Sequence, residues 1–438
     1  MKLEGASGQQ QATALRKNSS LWKVASLAEV AKECRSRNNG QLDDKLLCGV
    51  LKSRGLVPMR ERVKGDSTDR CKVVAPNAFA YNPMRLNIGS IARNTADNSV
   101  MVSPDYVVFQ TDPGRLLPNY LDHIRHSGLW RSYVGATGDG SVRVRIYFDQ
   151  LSRYQLPLPP LPEQHKIAAF LTAVDDKLDI ISRQIDATQA LKQGLMQILF
   201  SQGVGTQDAT GRWIPHTKFK DSELGEIPEG WLITTLGEIC SGALQTGPFG
   251  SQLHAAEYQD EGVPVLMPKD LSKCRANLST AARIAPERAE ELAKHKLAAG
   301  DLLFSRRGDV ARFALIDEQS AGALCGTGCL KAKPSEGYSS AYIAHLLQLD
   351  VVRAWLEQNA VGQTMPNMNT GILASLPLIA PAKKQEQEEI AGILDSVDAK
   401  TGLLISKQLH FQTLKRGLMQ KLLTGEWRLK LDSPSGTA

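Results

Sequence analysis

Glu163–Leu199 reads EQHKIAAFLTAVDDKLDIISRQIDATQALKQGLMQIL, and Glu386–Leu422 reads EQEEIAGILDSVDAKTGLLISKQLHFQTLKRGLMQKL. One pattern is written twice, at a constant offset of 223 positions (386 less 163). Glu-Gln, Ile-Ala, Val-Asp-x-Lys and Gly-Leu-Met-Gln recur in register, the mark of an internal repeat. In the first copy Leu171, Val174, Leu178, Ile181 and Ile185 alternate steps of three and four, the seam of a coiled coil. After Thr188 the seam is expected to step by three to Leu191, then to pass Leu195 and Ile198. The second copy follows with Leu394, Val397, Thr401, Leu404, Gln408 and Phe411, then Leu414, Leu418 and Leu422. Two such seams in one chain are expected to pack together. They should run antiparallel, because a pseudo-dyad relating tandem halves lies perpendicular to the helices.

A second echo opens each half. Leu21-Trp-Lys-Val-Ala-Ser-Leu-Ala-Glu-Val returns as Gly230-Trp-Leu-Ile-Thr-Thr-Leu-Gly-Glu-Ile, pairing Trp22 with Trp231, Leu27 with Leu236 and Glu29 with Glu238. Leu156-Pro-Leu-Pro and Leu376-Pro-Leu-Ile precede the two long helices. The expected organisation is a flexible tail (1–20), a globular domain (21–156), a helix (157–200) and a linker (201–230). A second globular domain (231–376), a second helix (377–424) and a tail (425–438) complete it. The fold class is α+β, with a pseudo-two-fold repeat. In the linker, Trp213, Ile214 and Phe219 are expected to pin the chain in places. The inserts Ala31–Gln155 and Cys240–Ser375 are largely unlike, apart from scattered matches such as Tyr120-Leu-Asp-His123 against Tyr342-Ile-Ala-His345. Similar frames with dissimilar inserts suggest a scaffold presenting two different readers.

Hydrophobic residues make up 42% and charged residues 22% of the 438, an ordinary globular composition. No apolar run is long enough for a transmembrane helix, and the first residues lack the apolar core of a signal peptide. Seven dispersed cysteines, an odd number, suggest reduced thiols in a cytoplasm. Only Cys325 and Cys329 lie close together, and no second ligand pair accompanies them, so no metal site is expected. Net charge is +6, unevenly spread. Residues 21–150 hold 19 basic against 13 acidic side chains, whereas 231–375 hold 13 against 15. If both inserts meet nucleic acid, the second must concentrate its positive charge locally.

Candidate contacts follow from that reasoning. In the first insert they are Arg60, Arg62, Lys64, Arg70, Lys72, Asn77, Tyr81, Arg85, Asn87 and Arg93, where basic residues interleave with amides and aromatics. In the second they are Gln245, Thr246, Phe249 and Ser251 of a Gly/Pro-rich loop, then Lys269, Arg306, Arg307 and Arg312, then Asn367 and Asn369. Basic side chains suit phosphates, and Arg, Asn and Gln can make bidentate contacts to base edges. QTMPNMNTG (363–371) occupies the place that GDGSVRVRI (138–146) holds in the first half. No phosphate-binding GxxxxGK[ST] loop, helicase-like acidic box, adenine-methyltransferase motif or nuclease carboxylate–lysine cluster is present.

The duplicated LPLP…EQ-xx-IA-xx-L-xx-VD-x-K helix with its GLMQ ending, the GEIPEGW entry at 225–231, and the GPFGS and GDLLFSRRG segments resemble the specificity subunits of type I restriction–modification systems. The likeness covers about Leu21 to Leu423. It implies two target-recognition domains, each reading one half of a split double-stranded DNA site, and an antiparallel coiled coil that sets the gap. It further implies a non-catalytic subunit that recruits two modification (methyltransferase) subunits, with restriction (motor-nuclease) subunits in the full complex. S-adenosylmethionine, ATP and Mg2+ would then belong to those partners. One departure is that the first insert shows no counterpart of GDLLFSRRG. A stand-alone methyltransferase or nuclease, or a scaffold that binds only proteins, are the competing readings.

Overall fold

The computed structural model describes residues 22–52, 54–59, 68–137, 145–222, 225–250, 252–362 and 366–429. Arg60, Arg62, Lys64 and Ser251 therefore lie outside the described residues. The chain divides into two compact units, one of 1–183 with 406–438, the other of 184–405. Both long helices, α1 (Leu161–Gln202) and α2 (Lys384–Leu422), contribute to each unit.

Within each unit the helices run antiparallel. In the first unit Asp175 pairs with Lys415 and Glu163 with Arg428, so an advance of twelve residues on one strand of chain is a retreat of thirteen on the other. In the second, Lys192 Nζ bonds Asp398 at 2.7 Å and Val204 N–H donates to Glu386. Lys192 and Lys415 are repeat-equivalent, as are Asp175 and Asp398, so one ion pair is made twice.

Leu171 and Ile181 are fully buried, Val174 and Ile185 nearly so, and Leu394 is fully buried, whereas Leu178, Val397, Leu404 and Phe411 are half-buried. The later seam differs from expectation. Leu191, Ile198 and Leu414 are 53%, 51% and 43% exposed, while Met196, Leu199 and Met419 are buried beside them; Leu418 and Leu422 are buried as expected. The physical reason is that the three-four alternation does not break at Thr188. It continues by four to Lys192 (Lys415 in the second copy), whose ammonium reaches a carboxylate on the facing helix. A polar residue on the seam concealed the true register.

Each insert closes on itself before its helix begins. Lys23–Ser26 pairs antiparallel with Gln155–Leu158, and Trp231–Thr235 with Pro377–Pro381. The duplicated opening residues then have duplicated roles. Glu29 accepts from Ser26 N–H at 2.8 Å, Glu238 accepts from Thr235 N–H at 3.0 Å, and Leu27 and Leu236 are fully buried. Trp22 Nε1 donates to Glu163 at 3.1 Å, and Trp231 Nε1 to Glu386 at 3.3 Å. Both carboxylates are almost completely buried, which demands further donors. Glu163 receives both Arg428 Nε and Nη2, at 2.6 and 2.8 Å. Glu386 receives His216 Nε2 and the amides of Val204 and Gly205. The segment after α2 thus does in the first unit what the linker after α1 does in the second. Two hairpins, Thr206–Gln207 with Trp213–Ile214 and Phe219–Ser222 with Gly225–Pro228, shape that linker. Ile214 and Phe219, expected to pin it, stay 45% and 39% exposed; His216 makes the anchoring bond instead.

The dissimilar inserts share a sheet. In the first unit β1 (Ala31–Cys34), β2 (Phe79–Tyr81), β3 (Ile91–Arg93) and β4 (Val107–Thr111) lie in the order β1-β4-β2-β3. In the second β5 (Leu244–Thr246), β6 (Leu302–Ser305), β7 (Phe313–Leu315) and β8 (Cys329–Ala332) lie in the order β5-β8-β6-β7. The registers also agree. Phe79 faces Phe109 and Arg93, and Leu302 faces Ala332 and Leu315.

Candidate nucleic-acid interface

That register assigns Phe79-Ala-Tyr81 to Leu302-Leu-Phe304, and so overturns the expectation that GDLLFSRRG has no counterpart in the first insert. Asn82 N–H donates to Ser90 O at 3.1 Å, as Ser305 N–H does to Arg312 O at 2.8 Å. Ile146 N–H donates to Pro83 O, as Met368 N–H does to Arg306 O. The turns 82–90 and 305–312 are therefore equivalent tips, each docked against the segment that leads into the next helix. The strands that lead into them share burial on both faces and no residue identity, which is why sequence comparison missed the match.

In the second unit the tip is tightly built. Arg306 N–H donates to Gly328 O, Gly308 N–H to Pro366 O, and Ser305 Oγ to Arg307 O. Arg307 is exposed, while Arg312 is held by Asp309 at 3.3 Å and by Pro268 O at 3.2 Å. Arg306 Nε and Asn367 Oδ1 are buried with no hydrogen-bond partner among the described residues. Asn369 caps the helix Thr370–Ala374 by accepting from Ile372 N–H at 2.8 Å. Lys269 donates to Thr280 O. Gln245 lies 3.3 Å from His295 Nδ1 at the start of the loop that carries Thr246 and Phe249, the latter 58% exposed. Glycine is obligatory where these loops cross. A Cβ on Gly247 would stand 1.9 Å from Gly326 O, and one on Gly326 2.5 Å from Leu266 O.

In the first unit Arg85 and Asn87 are exposed on the 82–90 tip, with Met84 and Ile88 beside them. Arg70 and Asn77 are also exposed, Asn77 with φ 64°. Arg93 is engaged by Asn77 Oδ1 at 2.6 Å and Asp122 at 3.3 Å. Burial raises the Asp122 carboxyl pKa, but Arg125 and Arg93 outweigh it and leave the group below its usual range. Lys72 is half-buried and donates to Tyr106 O at 2.7 Å; desolvation lowers its pKa. Tyr81 corrects an expectation. It is fully buried as the counterpart of Phe304, in a strand covered on both faces: Phe79 and Tyr81 pack into one core cluster and Ala80 into another, and the Tyr81 phenol is pushed far above the ordinary value by burial. Neither unit holds a group of His, Cys, Asp and Glu able to bind a metal ion among the described residues. No described helix is long and apolar enough to cross a membrane.

The family model described as the type I restriction modification DNA specificity domain matches residues 133–189 and 228–409, more than half of the chain. The chain belongs to this family. Among curated specificity-domain relatives, the type I restriction enzyme MjaVIII specificity subunit of Methanocaldococcus jannaschii is 25% identical over 68% of this chain and 67% of its own length. The EcoBI specificity subunit of Escherichia coli is 23% identical over 62% of this chain and 59% of its own. The chain thus spans about three-fifths to two-thirds of these relatives. Among solved structures, the type I restriction–modification S subunit from M. genitalium aligns with a TM-score of 0.58 at 14% identity, covering 92% of this chain and 96% of that one. A chain from a study of type I complex assembly and conformational transition aligns at 0.50 and 18%, covering 93% and 98%. These likenesses extend the specificity-subunit fold over both units.

Proposed function

We propose that this chain is the DNA-reading, non-catalytic subunit of a type I restriction–modification complex. The tip and flanking loops of each unit read one half of a bipartite duplex site. The two long helices set the spacer between the halves and dock two methyltransferase subunits. S-adenosylmethionine, ATP and Mg2+ belong to the partner subunits. The observation that carries this reading is the shared sheet with unlike tips: Asn-Pro-Met-Arg-Leu-Asn in one unit, Ser-Arg-Arg-Gly-Asp-Val in the other. A constant frame holding different donors and acceptors at the same place is what two different base sequences require.

Binding of the chain, alone and with its methyltransferase partner, to duplex DNA across a salt series tests the reading. Affinity should fall steeply and linearly on logarithmic axes as salt rises. Absence of binding in both settings would leave only a protein scaffold. Methyl transfer by the purified chain alone would make it an enzyme.

A further inference from the structure

Behind the tip of the second unit lies a cavity of about 550 Å3, lined by Lys269, Lys273, Arg312, Arg353, Asp309 and Gln348 among others. Four cationic side chains and one carboxylate line it; that carboxylate, Asp309, is paired with Arg312, and Lys269 lies 3.9 Å from the buried Asp270, which leaves Lys273 and Arg353. The insert as a whole carries more acidic than basic groups, so this is a local concentration against the overall balance. Lys273 and Arg353 are exposed and make no ion pair or side-chain hydrogen bond among the described residues. Lys273 sits at the end of a two-residue hairpin joining Leu271–Ser272 to Arg275–Ala276. That turn puts two consecutive non-glycine residues, Lys273 (φ 50°) and Cys274 (φ 60°), in the left-handed region. Such a turn ordinarily uses Asn and Gly. Here Leu315 N–H, donating to Cys274 O at 3.1 Å, holds the strained turn against the sheet. Arg353 stands in the first turns of the helix Asp350–Asn359, whose repeat counterpart Gly128–Ala136 carries Arg131 at the same position in an otherwise different sequence.

We propose that this cleft is a phosphate-anchoring site for the backbone of duplex DNA, with Lys273 and Arg353 as its free charges. The proposal rests on the DNA-reading function given above and adds a surface that holds the duplex without reading it. Continuity favours DNA over an acidic protein. The wall Asp309–Phe313 is the descending limb of the turn whose other end carries Arg306 and Arg307, so a duplex seated on the tip has its backbone beside the cleft. Lys273 and Arg353, which make no ion pair among the described residues, suit phosphate, which imposes no sequence preference.

The test is the double variant Lys273→Gln with Arg353→Gln in the full chain, assembled with its methyltransferase partner. Unchanged circular dichroism and melting would establish its fold. Its affinity should fall equally for the cognate duplex and for an unrelated one, with the methylated sequence unchanged. The slope of log affinity against log salt should become shallower by roughly 1.8, about 0.9 for each phosphate no longer neutralised. Lys273→Arg with Arg353→Lys should restore the original slope. If the wild-type complex binds DNA with a steep salt slope and the folded double variant keeps that slope, the cleft is not a phosphate site, while the DNA-reading function stands. Loss of cognate binding alone, or loss of partner recruitment with DNA binding intact, would equally overturn it, assigning the cleft to base reading or to a protein surface.

Discussion

Arg428→Ala should selectively weaken the first unit. Glu163 is 1% exposed at its side chain and accepts two bonds from Arg428 and one from Trp22. Removing one partner of a buried ion pair typically costs about 3–5 kcal/mol, because the other charge stays buried and unpaired. Arg428 is itself 40% exposed, so water already screens the pair, and the lower part of that range must be discounted further. The guanidinium also stacks over the Trp22 ring at 5.2 Å, an additional contribution of roughly 0.5–1 kcal/mol. A net loss of about 2 kcal/mol follows. For a unit of about 200 residues, that lowers the melting temperature by roughly 4–8 °C. Scanning calorimetry should show one transition displaced and the other, belonging to the unit whose Glu386 keeps His216, unmoved. Adding Glu163→Gln should recover at least half of the loss by removing the orphaned charge. A single variant that melts with the wild type, or a double variant no better than the single, would refute the view that the segment after α2 completes the first unit.

Three further outcomes are expected. Four residues inserted into α1 or α2 lengthen the helix by about 6 Å, so a complex that still folds and methylates should tolerate a spacer longer by roughly one to two base pairs at 3.4 Å each, both half-sites staying the same; retention of the original spacer would show that the helices do not measure it. His123 is buried with its pKa lowered from 6.5 by desolvation, and its Nε2 lies 3.0 Å from Thr172 Oγ1. The unfolded chain therefore takes up a proton first, and the first unit should lose stability as pH falls below about 6.5 until the folded pKa is passed; His126, lowered to about 4 by burial and Arg125, acts in the same direction, so His123→Gln should make the slope in thermal melts shallower without abolishing it, and an identical slope would contradict the assignment. Gly326→Ala brings a methyl group within 2.5 Å of backbone, so it should disorder the loops around the second tip and reduce DNA affinity well below that of Gly337→Ala, where nothing stands within 4 Å and φ is not positive.

Much of the frame was legible in the sequence because its physics is local and periodic. The seam through Ile185, the paired tryptophans and the duplicated Glu-Gln pairs each signal a role that strict repetition makes visible. Where a periodic position carries a lysine, as at 192 and 415, apolar pattern alone shifts the register by one residue onto Leu191 and Leu414. The inserts were less legible. These strands are buried on both faces, which demands apolar bulk and not particular residues, so Phe79-Ala-Tyr and Leu302-Leu-Phe satisfy the same sheet order with no shared identity. Tyr81 was misplaced for the same reason, its polar hydroxyl suggesting a surface that its register denies. Lys273 and Arg353 gave no sequence signal, being brought to one cavity by a hairpin and a helix some 80 residues apart.

The most direct test of the central claim, that each insert reads its own half-site, exchanges residues 230–375 for the equivalent region of another specificity subunit. Methylation is then mapped across the genome of a host carrying the chimera and its methyltransferase. One half of the methylated site should change to that of the donor, with the other half and the spacer retained. A chimera that folds and methylates with both halves altered, or with neither, would contradict the division of labour between the two units.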